Sequence, residues 1–600
     1  MTVVIAILLA GLPADSSIMT LEEVVVTAER IRHPVRDVAA SVSVVTAEEI
    51  KVLNARTATD ALAALPGTFV QQTGQFGRTD IDIRGIGDRG CRIAVLIDGR
   101  PEKMPLFGCT VTHTLPVNNI DRIEVVRGPL SVLYGSDAIG GVINIVTRRA
   151  ESPVDLSGQL DYGSFNTLHG RITAGTQQSG WHALFSFDKA KSDGHLPNSQ
   201  YNGNDVSLRT GASLLPFLDI DFTGKFFTGV KHEPNRATDP ETLVASGWNR
   251  YDRGGLDLTA SLARSQSGGF VKLYRTFGEH VFDPKDGWHS TDFTNGAIVH
   301  GHYQFEFGNL LQAGIEAKQL AGTWIKSDTS SPSWSRSQLG VFGQTEQRIG
   351  FIVANTGLRY EHDAISGGIL VPKCGLVLHP FSGLTLRASL NRGFRFAPFN
   401  YTSIYPPKNP ELEPELSWNY EAGINWQITS GIAADMAGYI LTGENLIELG
   451  TNPNPPPPRQ FQNKGSFRFK GIELGTSLRH QCLQLRAGAT IADYGINTRA
   501  RPGLKLNADA GIKTEKISMN LGTQTVARYY AADSSKSPIP SYTILDLRAG
   551  YRVLPLLQVR LAIENLLNCY YVTFVDLPGS AAGLYQQPGR SFTIGLDLDR

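Results

Sequence analysis

Past its first residues the chain has no apolar run near the roughly 20 residues that a membrane-spanning helix needs. Yet segment after segment from about residue 155 onward alternates apolar and polar side chains. SFTIGLDLDR (591–600) sets Phe592, Ile594, Leu596 and Leu598 on one face and Thr593, Gly595, Asp597 and Asp599 on the other. In LLQVRLAIE (556–564), Leu557, Val559, Leu561 and Ile563 oppose Gln558, Arg560, Ala562 and Glu564. In WNYEAGINW (418–426), Trp418, Tyr420, Ala422, Ile424 and Trp426 oppose Asn419, Glu421, Gly423 and Asn425. A period of two is the signature of strands with one apolar and one polar face. A soluble sandwich alternates in the same way. The number of such segments, with aromatics at their ends and polar Gly- and Asn-rich connections, favours a transmembrane antiparallel β-barrel. At roughly 20 residues per strand and connection, residues 150–600 make about 22 strands, and a barrel that wide needs a plug.

Residues 35–149 are of another kind. TAEEIKVLNARTATDALAAL (46–65) reads as helix, with Thr46 as N-cap and Glu49 three residues later. IAVLIDG (93–99), RIEVVRGP (122–129) and GGVINIVTR (140–148) read as short strands. Together they predict a compact α+β domain of plug size. Ahead of it, VVIAILLAGL (3–12) is too short to span a bilayer but suits a secretory signal, and Ala14 can close a cleavage site. No Lys or Arg precedes that run, so a buried N-terminal helix is the alternative to a signal peptide over 1–14. Within 15–34 lies LEEVVVTAER (21–30), a β-branched run with no obvious partner strand nearby. Lys plus Arg equals Asp plus Glu, 56 each, so no charge excess points to nucleic acid.

The order IRG (83–85), VLIDG (95–99), IDRIEVVRGP (120–129) and LYGSDAIGGVINIVTRR (133–149) resembles the plug of TonB-dependent outer-membrane receptors. So do GFRFAPFN (393–400), NPELEPELSWNYEAG (409–423), FQNKGSFRFKGIELG (461–475), ENLLNCYY (564–571) and QQPGRSFTIGL (586–596) in the barrel. Length and short loops look most like the smaller, cobalamin- and colicin-receptor-like members. The resemblance implies a monomer in the outer membrane of a Gram-negative bacterium, surrounded by lipid and driven by TonB. It makes Leu21, Glu22, Glu23, Val24, Val25, Val26, Thr27 and Ala28 the TonB box, a segment able to add as a strand to another protein's sheet edge. A strand tucked into the plug is the alternative. It also makes Arg84 and Arg127 plug arginines facing barrel-wall Glu421 and Glu473. Alternation independently turns both glutamates toward the lumen, where a carboxylate meets a partner rather than lipid. Solvated lumen charges are the plainer reading.

Ligand choice is expected in the outer loops, at Gln75 and Phe76 of GQFGR (74–78) and in RPEKMPLFGCTVTHTLP (100–116). Thioether, thiol and imidazole at Met104, Cys109 and His113 suit a soft metal, although their spacing matches no tight motif. His232, His280 and His289 are expected in barrel loops, where they could converge. Five cysteines leave at least one unbridged. A Cys91–Cys109 disulfide is disfavoured, because a strand over 92–98 could put the two at opposite ends of the plug. The extra Phe396 in GFRFAPFN suggests a bulged strand end, and FNYTSIYPPKN (399–409) has no His, which argues against haem. Arg600 stands where the family ends in an aromatic.

The expectation is an energy-coupled importer of a metal chelate, of ferric siderophore or cobalamin type, with no cofactor of its own. Import of bare copper or zinc is the alternative within transport, and a passive porin or adhesin the alternative outside it. No Ser–His–Asp spacing, phosphate loop or CxxC pair argues for an enzyme.

Overall fold

The computed structural model describes residues 25–26, 30–31, 33–87, 91–115, 119–237, 239, 246–283, 287–325, 331–404, 407–452, 457–575 and 583–599. The expected signal peptide, Leu21–Val24, Thr27, Ala28 and Arg600 lie outside them.

Twenty-two antiparallel strands close into one barrel. The first, Asp155–Gly163, pairs with the last, Ser591–Asp599. Alternation sets the two faces: Phe592, Ile594, Leu596 and Leu598 stay about half exposed on the outside, as do Tyr420 and Trp426, while Asn419 and Glu415 are fully buried inside. Outward apolar and inward polar side chains are what a membrane barrel requires. The two ends differ. At one end neighbouring strands join through tight turns, such as Ser179–Gly180, where positive φ at both residues suits a two-residue hairpin. At the other end most connections are long, as between His232 and Trp248 and between Arg395 and Glu415. Short turns mark the periplasmic end and long loops the outer end.

The N-terminal domain fills the lumen. Its five-stranded sheet runs Ser41–Thr46, Ile120–Arg127, Gly141–Thr147, Ile93–Ile97, Arg100–Pro101. Ile93–Ile97 and Gly141–Thr147 are parallel, and Ile83, Ile123, Val125 and Ile145 form a core with no exposure. A separate hairpin joins Thr68–Gln72 to Thr79–Ile83. The stretch expected as one helix over 46–65 is two. Ala47–Val52 carries the Thr46/Glu49 capping box, and Ala58–Ala63 carries a second one, Thr57/Asp60. Asn54 at φ +49° turns the chain between them. The bulge expected at Phe396 is absent. The strand Leu384–Arg395 keeps its register to Arg395↔Glu415, and Phe394 and Phe396 are both buried. The extra aromatic is absorbed by packing against Val132 and Val371.

Candidate functional site

Three layers of the plug–barrel contact matter. The middle layer is ionic. Arg84 follows the strand Thr79–Ile83 at φ +53° and points at the wall. Its Nε and Nη2 donate to the two oxygens of Glu473, each at 2.9 Å, and its Nη1 donates to Glu421 at 2.7 Å. The Tyr439 ring lies under the guanidinium at 4.2 Å. Arg127 Nε stands 3.5 Å from Glu473, and its Nη1 donates to the Pro66 carbonyl. All four side chains are at most 4 % exposed. Burial works against the charge on Arg84, but Glu421 and Glu473 outweigh it and its proton is held more tightly than usual. Ser41 Oγ donates to the remaining Glu421 oxygen. Gly67, at φ +71°, makes the approach possible, because a Cβ there would sit 2.2 Å from Glu473 Oε1.

The chain enters this layer from the N-terminus. Val25–Val26 pairs with His33–Pro34, so the segment does have a partner close in sequence. The ladder is only two residues long, and Pro34 offers no N–H to extend it. The side chain of Arg30, which sequence reasoning passed over, is buried. Its Nη2 donates to Glu316 at 3.1 Å and its Nε to the Leu133 carbonyl at 2.8 Å, and it lies over the Tyr134 and Phe342 rings. A lone arginine closing a β-branched run was the only signal. Just beyond it, Asp37 is held by Arg348 and His379 of the wall.

The outer layer is aromatic. Phe76 stacks on Tyr201 at 4.6 Å, and the buried Gln75 Oε1 has no hydrogen-bond partner among the described residues. Met104 and Cys109 face each other across an isolated bridge, Met104 buried and Cys109 half-buried. His113 turns instead to the barrel, edge-on to Tyr251 and Phe227. Burial, then Lys231 and His280, push its pKa well below the ordinary value. Among the described residues no three His, Cys, Asp or Glu side chains converge as a metal site. His280 and His289 lie on strands, not loops, because the ladder continues beyond both to Phe282 opposite Trp288. They also diverge: His280 faces inward, bonded to Asn249 and stacked on Tyr251, while His289 pairs with Glu279 on the other face. His232 ends a strand and bonds Asn198. Cys91 and Cys109 are not bridged. They do not lie at opposite ends of the plug, as a strand over 92–98 suggested, since the loop after Arg100 folds back and Cys91 Sγ comes within 3.9 Å of the Phe107 carbonyl.

The periplasmic layer is open. A cavity of about 1520 Å³ separates the helix Ala47–Val52 from the wall. Exposed ion pairs cross it: Glu48 to Lys513 at 2.6 Å, Lys51 to Asp599 at 2.8 Å, and Glu49 to Arg486.

A closed barrel filled by its own N-terminal domain, pinned by buried ions and loosely bridged below, is a plugged barrel rather than an open pore. The chain belongs to the TonB-dependent receptor family. Residues 34–142 match the TonB-dependent receptor plug domain and residues 149–566 the TonB-dependent receptor-like β-barrel. It is a receptor of the Gram-negative outer membrane and not an enzyme. It is 27 % identical to the vitamin B12 transporter BtuB of Vibrio vulnificus, covering 93 % of this chain and 92 % of the relative. It is 25 % identical to BtuB of Photobacterium profundum, covering 95 % and 96 %. In fold it is similar to the siderophore receptor PiuA of Acinetobacter baumannii, with a TM-score of 0.80 at 13 % identity over 95 % and 98 % of the two chains. It is similar too to the ferric enterobactin receptor PfeA of Pseudomonas aeruginosa, with a TM-score of 0.78 at 18 % identity over 94 % and 98 %.

Proposed function

We propose that this receptor imports a corrinoid of the cobalamin class, captured at the outer layer and released inward when TonB pulls on residues 21–28. The observation that carries the reading is near full-length likeness to vitamin B12 transporters, whereas the siderophore receptors resemble it in fold alone. Binding energy comes from the aromatic outer mouth, and no covalent chemistry is needed. Arg84, Arg127, Glu421 and Glu473 act as the latch that holds the plug while the ligand waits. Residues 21–28 are the TonB box, and their two-residue ladder at Val25–Val26 costs little to open before they add to TonB's sheet edge. The protein works as a monomer in outer-membrane lipid.

The test is uptake of radiolabelled cyanocobalamin by cells carrying the full chain or the chain lacking 21–28, with binding measured in parallel on purified receptor. Binding by both and uptake only by the full chain is the expected result. Uptake that survives the deletion would favour a passive pore. Binding of ferric siderophores but not cobalamin would move the ligand class. Tight binding of free copper or zinc, lost on replacing Cys109 and His113, would move it to a bare metal.

A further inference from the structure

His113 sits on the one-turn 3₁₀ segment Thr112–Thr114 at the outer end of the plug. Thr112 Oγ1 donates to the Thr79 carbonyl and Thr114 Oγ1 to the Val111 carbonyl, so the turn is tied to the plug hairpin and braced internally. The imidazole is further held edge-on by Tyr251 at 4.9 Å and Phe227 at 5.9 Å. It is half-buried, and no described residue hydrogen-bonds its ring nitrogens. The low proton affinity noted above keeps a lone pair available at neutral pH. Across Tyr251 lies a second imidazole. His280 stacks on that ring at 4.3 Å with planes 4° apart, and its Nε2 donates to Asn249. Its Nδ1, in a residue only 8 % exposed, has no hydrogen-bond partner among the described residues. A buried acceptor without a donor is costly unless something else supplies one.

Two histidines are too few for a bare ion, which ordinarily needs three or four protein ligands, and no third His, Cys, Asp or Glu joins them among the described residues. A metal already chelated in a flat macrocycle needs only one more donor, on its axis. We propose that His113 is that donor: an axial ligand to the cobalt of a bound corrinoid, with His280 Nδ1 accepting from an amide arm of the macrocycle. The inference rests on the corrinoid reading above. The step is a ligand exchange. The His113 lone pair forms a Co–N bond as the axial water leaves with its own electron pair, and the cobalt(III) oxidation state does not change. A corrinoid whose exchangeable position is closed by cyanide would bind without this bond.

The experiment titrates purified full-length receptor in detergent with aquacobalamin and, separately, cyanocobalamin, following the intense near-ultraviolet corrin band. The wild type should convert aquacobalamin to the nitrogen-ligated spectrum and leave cyanocobalamin unchanged. His113→Ala, shown to be folded by thermal unfolding like the wild type's, should lose about tenfold or more in aquacobalamin affinity together with the shift. His280→Gln should weaken both corrinoids alike and keep the shift. Aquacobalamin bound by the wild type with its water-ligated spectrum intact overturns the His113 assignment and leaves the corrinoid reading standing. A shift that persists in His113→Ala also overturns it. Should His113→Ala fail to fold, the wild-type spectrum and the His113→Gln variant decide. If neither corrinoid binds the wild type, the corrinoid reading and this inference both fall.

Discussion

The middle and the periplasmic layers of the plug–barrel contact use the same chemistry to opposite ends. At the middle, Arg84 meets Glu421 and Glu473 with 0 % and 1 % of their side chains exposed. Below, Glu48 meets Lys513 with about half of each in water, at 55 % and 51 %. An ion pair in water contributes roughly 0–1 kcal/mol and is easily screened. A buried one adds little net stability, because desolvation offsets attraction, but removing one partner strands the other at a cost of about 3–5 kcal/mol. The lower contacts can therefore exchange with water one at a time around the cavity, whereas the middle gives way only as a unit. This arrangement suits the latch role proposed above, which holds the plug at rest and yields to a directed pull.

The largest effect is expected at Arg84. Arg84→Ala should loosen the plug by about 3–5 kcal/mol, seen as faster hydrogen exchange across Thr79–Ile83 and Ile120–Arg127. Replacing the whole cluster, as in Arg84→Met and Arg127→Met with Glu421→Gln and Glu473→Gln, should cost less than Arg84→Ala alone. Equal or greater loss would break the comparison. Next comes Arg30→Ala. It removes charge-assisted bonds to Glu316 and Leu133 while Glu316 keeps Arg359 and Lys318. A loss of about 1.5–3 kcal/mol is expected, read as greater protease access to the chain before His33. Smallest is Lys513→Ala, expected within about 0.5 kcal/mol of the parent by thermal unfolding.

Acid sharpens the contrast further. The hydrogen bond from Lys513 holds Glu48 below the ordinary carboxylate value of 4.5. Its contribution is present above that value and fades as the pH falls through the folded-state pKa. In the middle layer Arg84 stays charged throughout that window and keeps both buried carboxylates, Glu421 and Glu473, beside it. Lowering the pH below about 4.5 should therefore raise exchange at Ala47–Val52 before it touches Thr79–Ile83. Loss of protection at both together would show that the layers are coupled.

Much of this was legible in residue order alone. Two-residue alternation carries the barrel, its two faces and, through length, its strand number, because lipid outside and a polar lumen inside leave no other pattern. The inward direction of Glu421 and Glu473 follows from the same rule. What alternation does not mark is where a strand stops when it continues above the membrane. His280 and His289 were accordingly expected in loops, although the alternate positions around them already put them on opposite faces. The break at Asn54 was hidden because the two helices together mimic one periodic run, and Thr57 with Asp60 was the capping signal that could have divided it. Arg30 was missed because its partner Glu316 lies 286 residues away, a distance that no local pattern spans.

The pairing of Asp155–Gly163 with Ser591–Asp599 bears on how the molecule is made. The barrel's two free edges meet only when the last nine-residue strand arrives, and until then each edge offers unpaired backbone groups that lipid cannot satisfy. The plug, by contrast, is synthesised first. Arg84 pairs with Glu421 and Glu473, which are made 337 and 389 residues later. The plug's partners thus belong to a wall that has no closed form until the final strand clasps it.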